Sequence, residues 1–253
     1  MRFGFIFAGL ASLVLTVAFI GLAPWATDLW PWEVTPLSYL FIASILAAIA
    51  TPVIWIGVSG ETAAIRAGAI DLAITYGGIT VYLATLLGAQ GQPSLGPYVG
   101  VFAVGFVAML ITFARTRPIP WRDHRPMPTA VRLSFALFAV ILTAAGTALA
   151  FHADIFPWAL GSETSVIFGF IYLGAAAYFV YGVLDPRWPN AQGQLIGFLA
   201  YDLVLIGPFV DRFDEVHGGE LTSLIVYTAF VAYSGLLAIY YLFVAPETRI
   251  KLA

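Results

Sequence analysis

LGPYVGVFAVGFVAMLITFAR, residues 95–115, carries no charged side chain until Arg115 closes it. A helix needs about 20 apolar residues to cross the hydrocarbon core of a bilayer. This stretch supplies them, and it is apolar all round, without the polar face of a soluble surface helix. The two-residue alternation of a membrane strand is also missing, and the run is too long for one. Seven further stretches read the same way: 3–24, 35–57, 67–88, 128–151, 163–184, 192–211 and 220–244. Pro31, Pro93, Pro118, Pro120, Pro126, Pro186 and Pro189 lie between them, and Pro24 closes the first. The expected fold is an all-α polytopic bundle of eight transmembrane spans.

Composition agrees. Of 253 residues, 61% are hydrophobic and 10% charged, against about 45–50% and 25% in soluble domains. The mean hydropathy is +0.93. A soluble enzyme, a disordered chain and a nucleic-acid binder with a basic face are excluded. With no cysteine, disulfides, thiolate metal sites and cysteine nucleophiles are excluded as well. The first span begins behind Arg2 like a signal peptide. It is longer than a typical signal core and no clear small-x-small cleavage site follows, so a retained helix is expected.

Basic residues orient the spans. With eight spans, Arg2, Arg66, Arg115, Arg117, Arg122, Arg125, Arg132, Arg187, Arg249 and Lys251 all fall on one side. The other side has Arg212 alone, with Asp28, Glu33, Asp154, Glu163, Asp211, Asp214, Glu215 and Glu220. The expectation is a plasma-membrane protein with both termini cytoplasmic. Trp25, Trp30, Trp32 and Trp158 fall near the outer boundary, where indoles prefer to lie. Ten arginines to one lysine, with acidic outer loops, hint at a GC-rich genome and a halophile.

His124, His152 and His217 fall in or beside loops. No buried bis-histidine haem and no di-metal carboxylate bundle can be drawn from them, so no metal site is expected. Two carboxylates lie inside spans. Asp202 is near the middle of span seven, and Asp71 about one turn inside span three. A charge at the bilayer centre costs at least about 2.5–3.5 kcal/mol on the insertion scale. Asp202 therefore faces protein or water, or is protonated. Two roles stand open: a proton-linked or ligand-contacting acid, or a neutral Asp bonded to a tyrosine on a neighbouring helix. Asp71 is the second proton-site candidate. Its plainer reading has it reaching interfacial water or pairing with Arg66. Tyr76, Tyr82, Tyr172, Tyr178, Tyr201, Tyr227 and Tyr233 recur inside spans, either lining an elongated pocket or packing with their hydroxyls on backbone. Gly77-Gly78 and Gly174-Ala175-Ala176-Ala177 allow close helix contact. The basic loop from Arg117 to Arg125 sets topology, or grips anionic head groups.

Spans two to eight resemble the microbial rhodopsins, seven-helix proteins with the N-terminus outside and the C-terminus inside. The local supports are Trp55-Ile56-Gly57-Val58-Ser59, Tyr82-Leu83-Ala84-Thr85-Leu86-Leu87-Gly88, Ala200-Tyr201 and Glu220 at the start of the last span. The resemblance implies residues 1–34 as an additional helix and outer loop, before an opsin-like bundle over 35–253. Its departures matter more. The family binds retinal through a lysine in its seventh helix, a place that falls near Tyr233, behind Ala232. The one lysine, Lys251, lies beyond the last span. The matching third helix, 95–115, lacks the counterion charges. Where the family often has Trp-x-x-Tyr-Pro-x-x-Trp, this chain has Phe198, Tyr201, Asp202 and Leu205.

A retinal Schiff base and light-driven pumping are thereby excluded. The expectation is a retinal-free, non-enzymatic opsin-like protein with no covalent cofactor. It would act as a subunit for a membrane-protein partner or a homo-oligomer, or bind an apolar ligand, a carotenoid or lipid, non-covalently. Its pocket candidates are Phe198, Tyr201, Asp202, Leu205, Tyr227 and Tyr233. Two alternatives remain: a proton-coupled transporter or channel using Asp202, with Asp71 as second station, and a membrane enzyme of isoprenoid or carotenoid metabolism using Asp202 as acid. Against the enzyme, no DxxxD or DDxxD run is present for a magnesium–diphosphate.

Overall fold

The computed structural model of the protein describes residues 2–89 and 91–250; Lys251 lies outside them. Eight helices in it are long and apolar enough to cross a membrane. They are α1 (Arg2–Ile20), α2 (Pro36–Ser59), α3 (Ile65–Ala89), α4 (Gly96–Thr116), α5 (Thr129–Ala150), α6 (Ser162–Leu184), α7 (Trp188–Asp211) and α8 (Gly219–Ile239). A π-helical turn, Tyr240–Val244, extends α8 to the end expected for its span. No strand occurs among the described residues.

Local chemistry explains the helix limits. α1 stops before the residue expected, because Leu22 adopts φ 49° and Pro24 opens a separate short turn, Pro24–Thr27. Thr35 caps α2, accepting a hydrogen bond from Ser38 N–H, and Pro36 occupies its first position. Gly60 ends α2 at φ 74°, the left-handed conformation that glycine adopts without strain. Pro52 and Pro208 lie inside continuous α2 and α7. Pro52 cannot donate to the Ala48 carbonyl one turn earlier. Gly197 of α7 packs on that carbonyl, where an added Cβ would stand 2.7 Å from the oxygen. Thr51 Oγ1 donates to Ala47 O at 2.9 Å and reaches Ile196 O at 3.4 Å.

Glycine contacts set the closest crossings. Gly9 of α1 lies against Ala50 and Ile54 of α2, and Gly57 of α2 against Arg2 and Ile6 of α1. Gly146 of α5 and Gly169 of α6 pack backbone to backbone. α2, α7, α8, α5 and α6 enclose an aromatic core. Phe41 of α2 packs on Phe168 of α6 at 4.6 Å, and Phe138 of α5 on Phe179 of α6 and Phe230 of α8 at 5.4 and 4.9 Å. α1 leans on α2, and the α3–α4 pair leans on α6 through α3. The consecutive helices α2 and α3 barely touch. Outward faces are apolar: Phe3, Val104, Leu203 and Leu236 are all exposed. Such surface suits acyl chains and would be a liability in water.

One end of the bundle is rich in arginine. Arg2 donates to Gly57 O at 3.0 Å and to Val58 O, while Arg122 donates to Ser59 O at 3.1 Å. Two guanidiniums thus satisfy the last carbonyls of α2. Arg66 donates to Thr116 O at 3.0 Å and to Ile119 O, and lies over the Trp121 ring. Arg187 reaches the same ring. The expected pairing of Arg66 with Asp71 does not form, because Arg66 is spent on these carbonyls. The opposite end carries most of the acids, with Arg212 beside Glu215 and Glu220. Trp25 is exposed there as expected of an interfacial indole. Trp158 is not: it is buried, donating to Ser38 Oγ at 3.0 Å within the aromatic core.

Candidate functional site

The bundle does not close on itself. Because α2 and α3 barely meet, and α5 and α8 meet only near one end, a cavity of about 560 Å³ remains in the middle. α5 and α8 are joined where Ser134 Oγ and Tyr233 Oη lie 2.7 Å apart and Phe138 meets Phe230. Nearer the acidic end they part, and exposed Ile141 and Val226 form a rim facing the membrane side. Along α6 the lining runs from Ile167 to Phe179, about 18 Å at the helical rise.

The walls are mostly apolar: Ile42, Ile45 and Ile49 from α2, Ile141 and Leu142 from α5, Ile167 and Ile171 from α6, Phe198 from α7 and Phe230 from α8. Thr222 and Ser223 of α8 lie at the acidic end, and two further polar sets interrupt the walls. Midway along, Tyr172 Oη donates to Tyr227 Oη at 3.0 Å, and the Tyr201 hydroxyl lies beside that of Tyr172. These phenols sit on three different helices, α6, α7 and α8, and satisfy one another. Toward the arginine-rich end lie Asp71, Thr75 and Tyr76 of α3 with Gln194 of α7. Thr75 Oγ1 donates to Asp71 Oδ1 at 3.3 Å.

Of the pocket residues expected from sequence, Phe198, Tyr201 and Tyr227 line the cavity. Asp202, Leu205 and Tyr233 do not. Asp202 is about a quarter-turn from Tyr201 on the helix and points at α8, where Ser234 Oγ lies 3.0 and 3.1 Å from its two oxygens. The expected tyrosine partner is therefore a serine. Leu205 is fully buried off the cavity, and Tyr233 is 44% exposed with its hydroxyl on Ser134. The two proton-site candidates separate: Asp71 lines the cavity and Asp202 is walled off. Tyr178 is tied to backbone, donating to Asn190 O at 2.9 Å.

Sequence reasoning missed two residues. Gln194 carries no charge, so it gave no alarm, although an amide inside a span is itself a signal. Glu61 looked like an ordinary loop acid. It is 4% exposed, and its carboxylate accepts Arg122 N–H at 3.1 and 3.2 Å and Asp123 N–H at 2.9 Å. It pins the Arg117–Arg125 loop to the end of α2.

Compared with known protein families, characterised proteins and solved structures, the chain matches none of them. What is defined is a class: a polytopic helical protein with an interior cavity. A helical bundle alone does not identify an opsin-like protein.

Proposed function

We propose that the protein binds an elongated apolar ligand, a carotenoid or another isoprenoid lipid, in the central cavity, without catalysing its conversion. The carrying observation is the cavity: extended along the bundle, walled by aliphatic and aromatic side chains, and crossed midway by three phenols. Ligand sites of about 300–1,000 Å³ with few polar groups fit this description. The rim at Ile141 and Val226 suits a ligand that arrives from the lipid phase. In this proposal the arginine-rich end is cytoplasmic, as the charge asymmetry implies, the membrane is the plasma membrane, and the bundle is a retinal-free relative of the opsin architecture. The ligand reading needs the cavity and not that ancestry.

The test is an absorption spectrum of protein purified in mild detergent, followed by mass spectrometry of its solvent extract. Wild type is expected to retain a stoichiometric isoprenoid, with structured visible bands if it is a polyene. Ala175→Trp, which puts an indole into the α6 wall of the cavity, should remove it while the protein stays folded. An extract holding only bulk lipid, identical in wild type and variant, overturns the proposal. Attention then passes to a partner subunit.

A further inference from the structure

Every apolar wall residue would be served by a pure hydrocarbon, yet the cavity has a polar foot. Asp71 is six residues from the start of α3 and Gln194 six from the start of α7, and both helices start at the arginine-rich end. Six residues are about 9 Å, so both side chains line the cavity within about two turns of that end. Asp71 Oδ1 receives only the hydroxyl of Thr75, itself shared with Phe170 O at 3.4 Å. Asp71 Oδ2, the Gln194 amide and the Tyr76 hydroxyl have no hydrogen-bond partner among the described residues. Polar groups held at membrane depth without partners are costly. A set of them that faces a ligand cavity is the arrangement of a head-group site.

The lining also states what the head is not. Among the described residues no Arg or His lines the cavity, and its one carboxyl group is Asp71. A carboxylate or phosphate would lie beside Asp71 with no cation to pair it. A head bearing N–H or O–H donors is served on both sides, donating a hydrogen bond to Asp71 Oδ2 and exchanging hydrogen bonds with the Gln194 amide. Gly174 of α6 keeps the foot in place: a Cβ there would stand 2.6 Å from Asp71 Oδ1 and clash with Thr75 Oγ1.

We infer that Asp71 and Gln194 form a head-group site selecting a long-chain isoprenoid with a hydrogen-bond-donating terminus, a hydroxyl or an amine, over the hydrocarbon and the acid. The inference rests on the cavity being a ligand site, and the experiment separates the two. Tritiated geranylgeraniol is bound to purified protein and displaced by the hydrocarbon, amine and carboxylic acid of the same chain. The alcohol or amine should compete about ten-fold better than the hydrocarbon, the worth of one or two hydrogen bonds. The acid should compete no better than the hydrocarbon. Gln194→Leu and Asp71→Leu should bring alcohol affinity down to the hydrocarbon value and leave hydrocarbon affinity unchanged; Gln194→Leu carries the test if Asp71→Leu does not fold. An amine ahead of the alcohol assigns a cationic head, the reverse a neutral one, and both support the site. Equal competition by alcohol and hydrocarbon in wild type overturns the head-group site and leaves the cavity reading intact. So does an acid that competes as well as the alcohol. No saturable binding of any chain overturns both.

Discussion

Ser234 Oγ on α8 lies 3.0 Å from Asp202 Oδ1 and 3.1 Å from Oδ2 on α7, and also 2.9 Å from Phe230 O in its own helix. One hydroxyl proton faces several acceptors. A carboxylic acid proton donated to Ser234 Oγ, with Ser234 donating to Phe230 O, satisfies the set at once. The pair joins α7 to α8 and does not open to the cavity, so it acts as a helix clasp.

Ser234→Ala should therefore lower stability in detergent by about 1 kcal/mol, the scale of interhelical hydrogen bonds in membranes, without loss of bound ligand. Asp202→Asn keeps a donor and an acceptor and should be near neutral in stability, ligand retention and proton flux in proteoliposomes. The double variant Asp202→Leu, Ser234→Ala should cost less than the sum of the singles, since neither partner is left alone. Unfolding in a denaturing detergent reads these differences. A proton flux abolished by Asp202→Asn would instead restore the transporter reading.

Gly174→Ala is expected to be the most damaging small substitution on α6. The new methyl would meet Thr75 Oγ1 and Asp71 on α3, and a clash between two helix backbones has no flexible end to yield. Overpacking of this kind costs about 1–3 kcal/mol. Ala177→Gly on the same helix serves as comparison; it should show only the smaller loss of a glycine in a helix, about 1 kcal/mol. Thermal unfolding in detergent ranks the two.

The span count was readable because the bilayer sets a length requirement that 95–115 and its seven counterparts each meet. The direction of each span was not. A helix apolar all round, such as α7, offers no polar face to mark its outside. Tyr201 and Asp202 are adjacent in sequence and part company in space, one into the cavity and one into a helix interface. Asp71 stood out as an acid in a span, but only its place in the cavity wall and the packing of Gly174 on it show that it faces inward. Glu61 was illegible for the opposite reason: its burial comes from a loop folding back over it, and no local pattern announces that.

Glu61→Ala should free the loop it holds. Its carboxylate is the acceptor for the Arg122 and Asp123 amides, and bonds to a charged acceptor are worth about 1.5–3 kcal/mol. Limited trypsin digestion should cut after Arg122 several-fold faster in Glu61→Ala than in wild type, with cleavage elsewhere unchanged. Glu61→Gln keeps one acceptor oxygen and should fall between them. Equal cleavage in all three would show that other contacts hold the loop.

The same loop should be insensitive to pH until strongly acid conditions. Burial pushes the Asp123 carboxyl up, but hydrogen bonds from the Arg125 side chain and backbone N–H outweigh it and leave it below its ordinary value of 3.8. Arg125 approaches it at 2.7 Å and also donates to Glu247 O at 3.0 Å, tying the loop to the chain beyond α8. A carboxyl with a lowered folded value contributes its stability above the unfolded value and loses it as pH falls through the folded one. Hydrogen exchange over residues 117–128, corrected for its intrinsic pH dependence, should thus be flat from pH 8 to about 5 and rise only below about 4. In Asp123→Asn that acid-dependent rise should be smaller, with exchange already faster at neutral pH because the ion pair is gone. A rise centred near neutral pH in wild type would show that Asp123 is not the group responsible.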